Sequence, residues 1–327
     1  MGQRPFGDQG PGVSEVGLGA WQLGGDWGQV DDRTAAKVLT GAVRSGMRFI
    51  DTADVYGKGL SEERIGRFLK NHRGRIFVAT KLGRFPEPGG AANFSRDRFR
   101  QFTEASLRRL GIEALDLTQL HCLPLEVLQR GEVFEWLREL QREGKILRFG
   151  VSVESMEEAL FCLEQEGLAS LQIIFNLFRQ KPITELFDRV LRKKVALIVR
   201  LPLASGVLCG RMAAAQTFSL DDHRHFNRDG QRFNVGETFA GIPLPKAVEL
   251  AEGLKRLAPG GMTLGQMALR WILDFDAVTV VIPGARTPDQ VRENAKASRL
   301  PRLPVHLHLD LHKYYLREVA DHIRGPY

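Results

Sequence analysis

Cysteine is scarce, and the three residues present, Cys122, Cys162 and Cys209, are odd in number and widely spaced. That excludes a disulfide framework and a thiolate metal motif, and it suits a reducing compartment. Long apolar runs are missing too: none approaches the ~20 residues that a bilayer span requires, so no membrane anchor is expected. Met1 to Gly12 is polar and rich in Gly and Pro, without the apolar stretch of a secretory signal, and the expected location is the cytoplasm. Internal repeats, low-complexity tracts and Pro-rich linkers are absent, which leaves nothing to divide residues 1–327 into more than one domain. No G-x-G-x-x-G joins a strand to a helix, so the Rossmann fingerprint is excluded. The His223/His225 and His306/His308 pairs lack further ligands at useful spacing, so no metal is expected.

The formal charge of +7 raises the question of nucleic acid. The basic residues are scattered along helical stretches, as with Arg96, Arg98, Arg100, Arg108 and Arg109, and no aromatic platform interleaves them. Solvated helix faces account for them better. Their field still favours an anionic small molecule.

What the chain does have is alternation. Short β-branched runs recur at Val16 to Trp21, Arg48 to Thr52, Ile76 to Lys81, Leu115 to His121, Arg148 to Val153, Leu171 to Asn176, Val195 to Leu203 and Val278 to Pro283. Helical patterns lie near 32–46, 61–71, 95–110, 132–144, 155–166, 182–193, 246–257 and 287–298, with Ser61 and Ser95 as N-cap candidates. Eight strands alternating with eight helices favour a (β/α)8 TIM barrel, with a doubly wound sheet as the runner-up. Residues before Val16 read as a β-hairpin able to plug the barrel's N-terminal face. A long loop from about Cys209 to Pro245 follows the seventh strand, on the face where barrels keep their chemistry.

Ionisable residues gather at strand ends. Asp51 closes Phe49-Ile50, Lys81 closes Ile76 to Thr80, and His121 closes Leu115 to Leu120, while Tyr56 follows Asp51 by five residues in a Gly-rich loop. An Asp ending an apolar strand is a helix cap, a ligand or half of an ion pair. If the second, third and fourth strands are neighbours, all four groups share one rim. Asp51 is then the natural partner of Lys81, whose charge would lower the phenol pKa, and His121 is placed to hold a substrate oxygen. Such a group suits proton delivery to a carbonyl oxygen.

On these residues the chain resembles the aldo-keto reductase family over nearly its whole length. Phe49-Ile50-Asp51-Thr52-Ala53-Asp54-Val55-Tyr56-Gly57, Lys81 after Val78-Ala79-Thr80, and His121 after Asp116-Leu117 match the family's tetrad segments in order. The resemblance implies that Tyr56 is the general acid, that Lys81 and Asp51 tune it, that His121 orients the carbonyl, and that NADPH is the cofactor. Ile282 to Asn294 resembles the adenosine-phosphate segment, which implies cofactor roles for Gly284, Arg286, Gln290 and Asn294. Pro202 to Arg211 resembles the pyrophosphate-covering segment, implying contacts from Pro202, Leu203, Ser205, Gly206 and Leu208.

Two departures from the family pattern stand out. Where many members carry Ser-Asn at the end of strand five, this chain reads Gly150-Val151-Ser152-Val153, so the nicotinamide amide is left to Ser152 and Gln172. Arg200 stands where many members stack a Tyr on the nicotinamide; it is expected either to stack there, disfavouring the cationic oxidised ring, or to pair with a carboxylate. Trp21, Trp27 and Phe85 are candidates for an apolar substrate pocket. A reductase of an aldehyde or ketone is the leading expectation. A barrel that senses NADPH without efficient turnover is the rival, and a Schiff-base enzyme using Lys81 is disfavoured by the carboxylate beside it.

Overall fold

Strand period two sorts each short apolar run into residues facing the barrel axis and residues facing the helices. In the computed structural model, which describes residues 1–85 and 90–327, Phe49, Phe77, Ala79, Leu117, Ala196, Ile198, Val280 and Ile282 form one cluster inside the ring. Their sequence neighbours Ile50, Val78, Leu197, Val199 and Val281 belong to the larger core between strands and helices.

The chain opens with an antiparallel hairpin, β1 (Gln3–Pro5) and β2 (Gly12–Ser14). Eight parallel strands then follow in strict sequence order: β3 (Leu18–Gly19), β4 (Phe49–Asp51), β5 (Phe77–Leu82), β6 (Leu117–His121), β7 (Phe149–Ser152), β8 (Leu168–Ile174), β9 (Ala196–Arg200) and β10 (Val280–Val281). Bridges between Val16 and Val281 and between Gly19 and Gly284 close the ring. At this seam a Cβ on Gly19 would stand 2.8 Å from the Ile282 carbonyl oxygen, so only glycine permits the approach. The fold is the expected (β/α)8 barrel.

The hairpin plugs the bottom as anticipated. Phe6, 2% exposed, lies 4.7 Å from the Phe77 ring and 6.0 Å from the Phe49 ring. The long loop is less structureless than expected, for it holds a helical turn at His223–Phe226 and two tighter turns at Val235–Glu237 and Phe239–Gly241.

Ser95 caps its helix, accepting from the Arg98 amide at 3.2 Å. Ser61 does not. The left-handed run Gly57-Lys58-Gly59 starts the helix Leu60–Lys70 one turn position earlier, and Ser61, fully buried, donates instead to the Ala20 carbonyl at 2.9 Å. A helix at Leu264–Leu273 was not expected, although Thr263 and Gln266 form a capping box that announces it.

Because Phe6 fills the ring's lower opening, Phe6→Ala should lower the unfolding free energy by about 3–5 kcal/mol, the usual cost of emptying a buried aromatic site. Urea denaturation would measure it; a loss below about 1 kcal/mol would show that the hairpin does not complete the core.

Candidate active site

The inward row that begins with Phe49, Phe77 and Leu117 continues upward, two residues at a time, to Asp51, Lys81, Gln119 and His121. Strand register therefore delivers these polar side chains to the C-terminal mouth. Lys81, 1% exposed, pairs with Asp51 and donates to the Thr52 carbonyl at 2.8 Å and the Tyr56 hydroxyl at 3.2 Å. The second oxygen of Asp51 accepts from Gln172 at 2.8 Å and Gln119 at 3.1 Å. Tyr56 is held from behind by close backbone packing: a Cβ on Gly24 would fall 2.6 Å from the Tyr56 carbonyl carbon.

Electrostatics assign each group a protonation state. Burial alone would lower the Lys81 pKa, yet Asp51 and Tyr56 together raise it, so the ammonium is kept charged. Burial raises the Tyr56 pKa and outweighs the opposing Lys81 charge. This reverses the sequence-based expectation of a lowered value, and it means the phenol starts with its proton. Burial, then the charges of Arg84, Lys81 and Arg200, hold His121 well below its ordinary value, so the imidazole is neutral. Its ring meets Tyr56 edge-on at 5.9 Å, and its Nδ1 has no partner among the described residues.

A cavity of about 560 Å³ opens above these groups. Its walls include the tetrad residues Asp51, Tyr56 and His121, with Trp21, Trp27, Gln172, Arg200, Pro202, Leu203, Ser205 and Gly206, and at its far end Gly284, Arg286, Gln290 and Asn294. Ser152, Leu208 and Phe85 do not line it. Ser152 is buried with its hydroxyl 3.6 Å from the Cys122 sulfur, Leu208 sits in the core, and Phe85 is half-buried on the loop after β5. Gln172 spends its amide N–H groups on Asp51 and Gln119, which ties it to the tetrad.

At the far end Thr287 caps the helix Pro288–Lys296, and Gln290 accepts from the Arg286 amide at 2.7 Å. A guanidinium beside a helix N-terminus suits a phosphate. Ser205, at φ 56°, accepts from Phe239 N and donates to the Glu237 carbonyl, both at 3.1 Å, and so fastens the long loop to the segment after β9. Trp21 stacks on Tyr56 at 5.7 Å and meets Trp27 edge-on at 5.5 Å.

Sequence reasoning allowed Arg200 a carboxylate partner but named neither Glu237 nor the rest of its cluster. Glu237 of the long loop is buried against Arg84, at 3.1 Å, and Arg200, at 3.2 Å, while Arg84 also reaches Glu154 at 3.1 Å. Burial alone would raise the Glu237 pKa, but the two guanidiniums hold it at about 2; burial and the Glu237 charge push Glu154 up to about 7. Arg200 thus pairs with a carboxylate, which compensates the charge that discrimination against an oxidised ring would need. Cys122, Glu154 and Glu237 lie close enough to hold a cation, yet Arg84 and Arg200 already supply the positive charge there. The cluster's paired members are 37 (Arg200 and Glu237) to 153 (Arg84 and Glu237) residues apart in sequence, and a chain read locally does not reveal it.

Comparison with known proteins agrees with this geometry. The sequence pattern of the Aldo/keto reductase family matches residues 15–306. Aldo-keto reductase YhdN of Bacillus subtilis is 31% identical over 288 residues, covering 87% of this chain and 85% of its own. The NADH-specific methylglyoxal reductase of Escherichia coli is 29% identical, with 91% and 93% covered. Among solved structures, the glycerol dehydrogenase AKR11B4 from Gluconobacter oxydans superposes with a TM-score of 0.78 at 29% identity, covering 99% of this chain and 98% of its own. Among the described residues, no helix is long and apolar enough to cross a membrane.

Asp54, between Asp51 and Tyr56, provides a test of the local electrostatics. It is 4% exposed, neither carboxyl oxygen has a hydrogen-bond partner among the described residues, and burial followed by the charge of Glu62 pushes it up to about 8. The folded chain therefore holds this proton where the unfolded chain, titrating near 3.8, has lost it. Stability from this group is full below about pH 4 and falls by roughly 1.4 kcal/mol per pH unit up to about pH 8. Asp54→Asn should remove that slope, so urea denaturation should find the variant increasingly more stable than the parent from pH 5 to pH 8. A stability difference that does not change with pH would contradict a protonated Asp54.

Proposed function

This chain belongs to the aldo/keto reductase family, and on that footing we propose that it reduces a small aldehyde or ketone with NADPH in the cytoplasm, with Tyr56 as general acid. The observation that carries the reading is the single ammonium of Lys81 shared by Asp51, the Thr52 carbonyl and the Tyr56 hydroxyl.

NADPH, when bound, supplies the hydride. The chain's own residues do the rest. Arg286 and the capped N-terminus of Pro288–Lys296 are suited to the 2′-phosphate, Gln290 and Asn294 to the adenosine end, and the segment from Pro202 to Gly206 to the middle of an extended cofactor. Neutral His121 donates an N–H to the substrate oxygen and orients it. Tyr56 hands its proton to that oxygen as charge builds there, and Lys81, held charged by Asp51, stabilises the phenolate left behind. Asp51 is itself fixed by Gln119 and Gln172, so the cation cannot drift from the phenol.

A ligand sensor on the same barrel has no need of a buried cation bonded to a cavity phenol, so the intact tetrad favours turnover. The same Asp51 pairing keeps Lys81 protonated and argues against Schiff-base chemistry.

Tyr56→Phe removes only the transferable proton. Carbonyl reduction, followed as NADPH oxidation over a panel of aldehydes, ketones and sugars, should fall by at least ~10²–10⁴-fold while NADPH affinity is retained. Undiminished turnover would sink the assignment.

Arg286→Ala should narrow the preference for NADPH over NADH by about ten- to a hundred-fold, since a charged hydrogen bond contributes roughly 1.5–3 kcal/mol. The loss should fall on NADPH. Equal affinity of the parent for both cofactors, measured by fluorescence titration, would remove Arg286 from this role.

A further inference from the structure

The reductase mechanism makes no use of Arg84 or Arg200, although both line the cavity that holds Tyr56 and His121. Arg84 is 8% exposed and Arg200 9%. Most of their N–H groups are committed. Arg84 bonds Glu237 and Glu154 through its terminal nitrogens, and Arg200 bonds Glu237, the Val153 carbonyl at 3.3 Å and the Cys122 sulfur at 3.6 Å. In each guanidinium the Nε is buried and has no partner among the described residues. A buried donor on a charged group is costly to leave unmade. Both guanidiniums border the cavity, where an acceptor that arrives with a ligand can meet them.

Charge supports the same conclusion. Opposite the two guanidiniums stand Glu237, ionised, and Glu154, whose carboxyl at about 7 is partly protonated at neutral pH. The wall therefore holds more positive than negative charge. Nearby groups do not cancel the excess: Lys81 is balanced by Asp51, Arg224 by Asp222, and His121 and Tyr56 are neutral.

We infer that the substrate is an oxo-acid, an aldehyde or ketone that carries a carboxylate, with Arg84 and Arg200 as receivers of that carboxylate. The inference rests on the reductase reading and narrows it. Arg84 and Arg200 act here as specificity residues, and the reaction remains proton transfer from Tyr56 and hydride transfer from the cofactor to the carbonyl.

The experiment compares oxo-acids two to six carbons long with their own methyl esters, using the full chain and NADPH. For the best acid, kcat/KM should exceed that of its ester at least tenfold, mostly through KM. Arg84→Met and Arg200→Met should each shrink that ratio, and Arg84→Lys should recover part of it. Esters reduced as well as acids by the parent would overturn the inference and leave the reductase reading standing. A ratio that survives both Met variants would also overturn it, because the receivers would be wrong. If neither acids, esters nor plain aldehydes are reduced, the reductase reading fails and the inference falls with it. Should the variants not fold, the parent alone decides: butanoate should inhibit reduction of a neutral aldehyde competitively at concentrations where butanamide does not, and equal inhibition by both would count against the inference.

Discussion

The buried pairing of Lys81 with Asp51 is the constraint around which the upper half of the barrel is arranged. An ammonium and a carboxylate cannot both leave water unless each finds its partner and its remaining hydrogen bonds; losing one partner in such a site costs about 3–5 kcal/mol. The chain meets that demand from four strands. Asp51 comes from β4, Lys81 from β5, Gln119 from β6 and Gln172 from β8, all inward positions set by register. Tyr56 is the one member that does not sit on a strand, and it is pinned instead by the backbone of Gly24.

Much of this was legible in the sequence because the barrel repeats a simple rule. A polar residue an even number of positions beyond the last inward apolar residue of a parallel strand arrives at the active mouth: Asp51 follows Phe49 and Lys81 follows Ala79 by two, and His121 follows Leu117 by four. Ser95 was readable as a cap because its signal is local. Ser61 was misread because three left-handed residues before it moved the helix start. The direction of the Tyr56 shift was misjudged for a different reason: a nearby cation is visible in a motif, whereas the burial that outweighs it belongs to the folded molecule. Glu237, Arg84 and Arg200 were invisible as a set, since they come from three separate loops and strands and share no short pattern.

That cluster joins the long loop to the barrel. Glu237 reaches both guanidiniums while Ser205 ties its backbone and that of Phe239 to the segment after β9. A segment of more than thirty residues without long helices is thus anchored at its inner edge by buried charge, and the wall it contributes to the cavity is correspondingly fixed.

The seam of the ring has a thermodynamic side. β3 and β10 contribute only two residues each, and besides short bridges the joint rests on the amides of Gly17, Gly19 and Val281. Gly19 and Ala20 line the cavity from one side of the joint, and Ile282, Pro283 and Gly284 from the other. A ligand lying across them acts as a staple: it stabilises the closed cylinder by RT ln(1 + [L]/Kd), about 2.7 kcal/mol at a hundredfold excess over Kd. This joint between two very short strands is therefore one that occupancy reinforces, and resistance of this chain to unfolding and proteolysis becomes a measure of how full its cleft is.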